Sequence, residues 1–230
     1  MNRALAVARM QLLNKWIYLG IPAIILVTST VISIAILAMI PSDGEGTRMA
    51  FSGQSVMWYF LAIGVQALTY TFPFSQALSV SRRSFYIGTL GLFALASLAL
   101  GVLYWVLGLV EDATNGWGVG GNIFALPWIA ESAWYTQILL YFALSMLLFM
   151  FGFWFATVYK RWRATGLVAA LVGFALLLLG SVAAVSFTDS WAEVGAWFVQ
   201  LTPLALAGWL LLAGVVLAAG SYGTLRRATP

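Results

Sequence analysis

Three stretches of this chain hold residue types that do chemistry in other settings. Gly116, Gly118 and Gly121 spell G-x-G-x-x-G. That pattern cradles a pyrophosphate when it joins a strand to a helix N-terminus. Here it lies between long apolar runs with no βαβ unit around it, so it reads as a flexible glycine loop. Glu111 and Asp112 are neighbouring carboxylates just before it. General acid–base work needs a pocket that splits two pKa values, and a pair at the end of an apolar run reads as solvated loop charge. The third stretch, Ser75-Gln76-Ala77-Leu78-Ser79-Val80-Ser81-Arg82-Arg83-Ser84, joins helix-capping hydroxyls to two arginines. Two readings fit it: a basic turn that orients its neighbours, or a short helix that docks on a partner.

Other chemistry is excluded by residue type. The chain has no Cys and no His, which removes disulfides, thiolate and zinc sites with His or Cys ligands, and His-based triads. Its lysines, Lys15 and Lys160, follow Asn14 and Tyr159, so no Gly-Lys-Ser/Thr phosphate loop forms. No catalytic, cofactor-binding or metal-binding residue is assigned, and no enzyme activity is expected of the chain by itself.

The elements that position these residues are apolar. Of 230 residues, 63% are hydrophobic and 8% charged, against about 25% charged in a soluble domain. Six uncharged runs reach the ~20 residues that a bilayer crossing needs. They are residues 16–40, 55–77, 85–110, 132–159, 164–187 and 202–222. Backbone satisfaction in lipid requires helices or closed barrels, and continuous apolar runs fit helices. The expected fold is a single all-α membrane domain over residues 1–230.

Charge sorts the connections. All but one of the eleven basic residues lie in the N-terminal stretch (Arg3, Arg9, Lys15), the second connection (Arg82, Arg83), the fourth (Lys160, Arg161, Arg163) or the C-terminus (Arg226, Arg227). All seven acids, Asp43, Glu45, Glu111, Asp112, Glu131, Asp189 and Glu193, lie with Arg48 in the other three connections. The positive-inside rule then places both termini in the cytoplasm. The first run is longer than a signal-peptide core and lacks a cleavage pattern.

Residues 1–15 are expected to form an interfacial helix, with Leu5, Leu12 and Trp16 on one face and Arg3, Gln11, Asn14 and Lys15 opposite. Pro73 is expected to kink or stop the second span. Ser75 then caps a short cytoplasmic helix, and Ser81 caps the third span. Trp191, Val194, Trp197 and Phe198 have the spacing of a short helix on the outer side, where Ile123–Ile129 also suit the surface. Inside the spans the polar groups are Gln66 and a hydroxyl cluster of Thr28, Ser29, Thr30 and Ser33. Ser29, Ser33 and Gln66 either glue helices or line a path. Ala169 with Gly173, and Gly214 with Ala218, suit close helix packing.

Ala77-Leu78-Ser79-Val80-Ser81-Arg82-Arg83-Ser84-Phe85-Tyr86-Ile87-Gly88-Thr89 resembles a segment of permease subunits in the type-2 class of bacterial ABC transporters. In those proteins the position of Ser79 is usually glycine. The run from Gly152-Phe153-Trp154 through Tyr159-Lys160-Arg161-Trp162 is similar to the same family, whose common glycine after Arg-Trp is Arg163 here. The resemblance implies a pair of permeases, identical or paralogous, in the bacterial plasma membrane. Two separate cytoplasmic ATPase subunits would bind ATP and magnesium, the chain itself carrying no cofactor. Ser75, Gln76, Ser79, Ser81, Arg82, Arg83 and Ser84 would form the coupling segment, and an amphiphilic peptide, lipid or drug-like molecule would be exported. The alternative from residues alone is a non-transport membrane assembly, sensor or immunity protein.

Overall fold

The computed structural model describes residues 3–40 and 48–226. Asp43, Glu45 and Arg227 lie outside the described residues. The elements are α1 (Arg3–Gln11), α2 (Trp16–Met39), α3 (Ser52–Ala77), α4 (Arg82–Ala113), α5 (Pro127–Ala130), α6 (Trp134–Phe187), α7 (Trp191–Gln200) and α8 (Pro203–Leu225). The fold is all-α, and among the described residues five helices (α2, α3, α4, α6 and α8) are long and apolar enough to cross a membrane.

Two prolines sit inside these helices without ending them. A proline lacks the N–H for an i→i−4 bond, and its ring crowds the carbonyl there. In α2 the turn before Pro22 is widened, so that Ile21 N–H bonds Trp16 O, five residues back. In α3 the turn before Pro73 is widened in the same way, with Phe72 N–H on Ala67 O. The expected break at Pro73 is therefore absorbed by one wide turn, and α3 continues to Ala77. Residues 72–77 are the end of the second helix rather than a separate one between two spans.

α6 holds two of the expected runs, 132–159 and 164–187, in one helical stretch of 54 residues. At ~1.5 Å per residue a straight rod of that length reaches roughly 80 Å, against ~30 Å for a bilayer's hydrocarbon core. Arg163 breaks it, at φ 56° and ψ −152°. Trp154 faces Gly220, and the Thr224 hydroxyl donates to Thr157 Oγ1 at 2.9 Å. So α8 runs in the same direction as the first half of α6, and residues 164–187 carry the chain back between them. Residues 171–182 are all exposed, touching little of the chain.

The core lies between α3, α4 and the first half of α6. Phe93 of α4 stacks on Phe149 of α6 with ring centroids 3.8 Å apart, and Phe72, Phe85, Tyr104 and Phe153 are fully buried around it. Backbones meet at glycines. A Cβ on Gly152 would land on the Leu61 carbonyl, and one on Gly64 on the Phe149 carbonyl. Close packing thus falls on Gly64 and Gly152, while Gly173 and Gly214 face open space.

The N-terminal helix forms over Arg3–Gln11, ending short of the expected residue 15, so that Leu12 and Trp16 lie beyond it; Gln11, expected on the polar face, is buried. Val7 and Gln11 are buried, and the Gln11 amide donates to Thr89 Oγ1 of α4 at 2.8 Å. Leu5, Leu12 and Trp16 are exposed. Gln11 therefore serves as a buried hydrogen-bonding group instead of facing water; its length lets it reach the threonine that a shorter side chain would leave unpaired.

Candidate functional site

The α3–α4 turn is built from its own hydrogen bonds. Ser75 is buried inside α3, where its hydroxyl donates to Phe72 O at 2.7 Å; it caps no new helix. Val80 N–H bonds Ser75 O at 3.0 Å and Ser79 N–H bonds Gln76 O at 2.9 Å. The Gln76 amide closes the turn from the side, donating to Val80 O at 3.0 Å. Ser81 is the N-cap of α4, as its position suggested: its Oγ accepts from Ser84 N–H at 3.2 Å and donates to Ser84 Oγ at 2.8 Å.

Ser79 has φ 56°, in the left-handed region. That region costs a side-chain-bearing residue roughly 1–2 kcal/mol through crowding of Cβ against the carbonyl. It is the natural place for glycine.

The two arginines have different jobs. Arg82 donates to the carbonyls of Leu225 (3.3 Å) and Arg226 (2.9 Å), tying the start of α4 to the end of α8. These are carbonyls that a helix C-terminus leaves without internal partners. Tyr86, one turn on, donates to Ala218 O at 2.6 Å in the same seam. Arg83 is exposed and has no hydrogen-bond partner among the described residues.

The candidate polar residues inside the helices do not converge. Ser29 donates to Leu26 O at 3.1 Å and Ser33 to Ser29 O at 2.7 Å, both within α2. Ser33 also meets Ser52 Oγ, which joins α2 to α3. Gln66 is half-buried on α3 and makes no hydrogen bond to either serine. A groove bounded by α2, α3 and α4 is about 280 Å³ and apolar, with Leu26, Phe60 and Leu103 among its walls.

The opposite end holds a feature that residue types alone left unassigned. Glu111 is 1% exposed. Its carboxylate accepts from Ala125 N–H (2.9 Å), Ile123 N–H (3.0 Å), Phe124 N–H (3.2 Å) and Trp117 Nε1 (2.7 Å). Among the described residues no basic side chain takes part; backbone and indole N–H groups hold the carboxylate. Asp112, its neighbour, is exposed. The expected solvated pair is thus one buried carboxylate and one free one, because a 100° step per residue turns Asp112 out of the face Glu111 shares with Tyr104 and Gly108.

The segment around Glu111 forms a cap. Asn115, Gly116, Trp117, Gly118 and Gly120 all have positive φ, coiling the chain back on itself. Arg48 donates to Ile40 O at 3.0 Å and to the carbonyl of Val119, linking the end of α2 to this coil. Ile123, Phe124 and Leu126 are buried, and Tyr141 donates to Phe124 O at 2.9 Å. The expected loose glycine loop and surface-lying apolar stretch are instead a plug in the end of the bundle. α7 forms as its spacing suggested, with Trp191, Trp197 and Phe198 exposed. Compared with known proteins, the chain matches no family model, no curated protein and no solved structure.

Proposed function

We propose that this chain is the membrane permease subunit of an ATP-driven exporter of the type-2 ABC class, with six crossings and both termini cytoplasmic. One observation carries the reading. The resemblance marks two positions where the family commonly has glycine, those of Ser79 and Arg163. Both take φ 56°, a backbone shape that favours glycine. Two sequence departures fall where the backbone itself calls for the family residue. The return of the chain through residues 164–187 favours counting α6 as two crossings.

In this reading the α3–α4 turn receives the push of the ATPase. Its hydrogen bonds make the turn stiff, and Arg82 joins it to α8. A displacement at Ser79 then moves α3, α4 and α8 together. Arg83, exposed and without a hydrogen-bond partner among the described residues, is the residue offered to the ATPase. The exposed helix 164–187 suits a second permease copy.

Tagged chain purified from its native membrane in mild detergent is expected to bring down a P-loop ATPase in near-equal amount. Arg83→Ala should weaken that capture without altering the thermal stability of the permease. Arg82→Ala should lower stability as well, since it frees two carbonyls of α8. Purification of the chain without any P-loop ATPase, after cross-linking in the membrane, would establish the non-transport reading instead.

A further inference from the structure

A groove of about 490 Å³ runs between the start of α4 and the end of α8. Ile87, Val215, Ala218 and Ala219 make its apolar wall, and Arg83 and Tyr222 stand at its basic end. Ile87 and Val215 are 50% and 65% exposed, so the wall faces outward. Tyr86 also lines it, but its hydroxyl is committed to Ala218 O and Ser221 Oγ. The Arg226 guanidinium lies 5.6 Å over the Tyr222 ring. None of the seven acidic residues lies in the segments that meet here. The groove therefore joins an apolar wall, open to the side of the bundle, to a guanidinium with no hydrogen-bond partner among the described residues, and the Arg226 guanidinium covers the Tyr222 ring of the same lining.

We propose that this groove holds an anionic phospholipid, with the phosphate on Arg83 and an acyl chain along Ile87, Val215 and Ala219. A guanidinium matches a phosphate with two parallel hydrogen bonds. Basic pockets between membrane helices on the cytoplasmic side select anionic head groups. Arg82, one residue earlier, does not line the groove, and its Nη1 is engaged by the carbonyls of Leu225 and Arg226. This inference rests on the membrane setting alone and not on ATPase coupling; it is tested with no ATPase present.

The test is native mass spectrometry of the detergent-solubilised full chain with dioleoylphosphatidylglycerol or dioleoylphosphatidylcholine. Wild type is expected to retain the glycerol lipid at least about fivefold better. Arg83→Ala should abolish that preference. Ala219→Trp, which fills the wall and keeps the charge, should reduce retention of the same lipid. Arg161→Ala, at a guanidinium stacked 4.2 Å over Trp162, should leave the preference intact. Water-soluble glycerophosphoglycerol should fail to compete. An unchanged preference in Arg83→Ala overturns the site. An equal loss in Arg161→Ala, or no loss in Ala219→Trp, reduces it to diffuse attraction by basic residues and also overturns it. Competition by the soluble head group makes it a phosphate-ester site and overturns the lipid assignment. Circular dichroism and elution volume identify any variant that has not folded; Arg83→Gln then repeats the test with a longer side chain.

Discussion

Replacing Glu111 by alanine leaves three consecutive backbone N–H groups and the Trp117 indole N–H without their acceptor. A buried donor stranded in this way costs about 1–3 kcal/mol. Glu111→Ala should therefore destabilise the chain by at least about 3 kcal/mol, read as a lower unfolding temperature in detergent. Glu111→Gln keeps one acceptor oxygen but turns an amide N–H₂ toward donors, so it should fall in between. Asp112→Ala, at the exposed neighbour, is the control and should be near neutral. Equal effects at the two positions would mean that the carboxylate clasp contributes nothing. Glu111 was half legible in the sequence. Ser97, Tyr104 and Gly108 precede it at helical spacing, and all are buried. That periodicity carries the buried face to Glu111 and past Asp112. The residues that receive the carboxylate, Ile123 to Ala125, were not legible, because backbone donors have no side-chain signature.

Helix existence was plain from the apolar runs, and a helix end was plain where a side chain does the capping, as at Ser81. Pro73 misled because the sequence shows the lost hydrogen bond but not the widened turn that absorbs it. The breaks without glycine are open to experiment. Ser79→Gly and Arg163→Gly each remove Cβ crowding at φ 56°. Ser79→Gly should gain about 1 kcal/mol. Arg163→Gly should gain somewhat more, since its ψ of −152° lies in a region that is nearly glycine's alone. Thermal unfolding of each variant in the same detergent measures this. A loss of stability in both would mean that their side chains hold the turns by contacts that outweigh the strain.

For the whole molecule, the proposed six-crossing arrangement makes a sided prediction. Cysteines placed at Gly118 and Gly195 should react with an impermeant thiol reagent added to intact cells. Cysteines at Ala77 and Ala164 should react only after the membrane is opened. Gly46 and Thr229 would extend the series but lie outside the described residues. Labelling of Ala164 from outside would make the two halves of α6 something other than two crossings. The proposed layout comes from the charge pattern, because each crossing exchanges one side's charge rule for the other's. Partners within the bundle were less legible. Uniformly apolar helices give no clue to which faces meet: backbones meet at Gly64 and Gly152, while Gly173 and Gly214 face open space.

The seam between Arg82 and the end of α8 also sets an order of events during synthesis. Arg82 and its acceptor on Arg226 are 144 positions apart. At about 5–20 residues per second, roughly 7–30 s separate their appearance. For that interval the Arg82 guanidinium and the Tyr86 hydroxyl are already made, while the carbonyls they will bind are not. The basic end of the bundle therefore closes last, when α8 enters beside α6. A ribosome stalled before Pro203 would leave a nascent chain whose first four long helices are present and whose seam is still open to whatever machinery attends insertion.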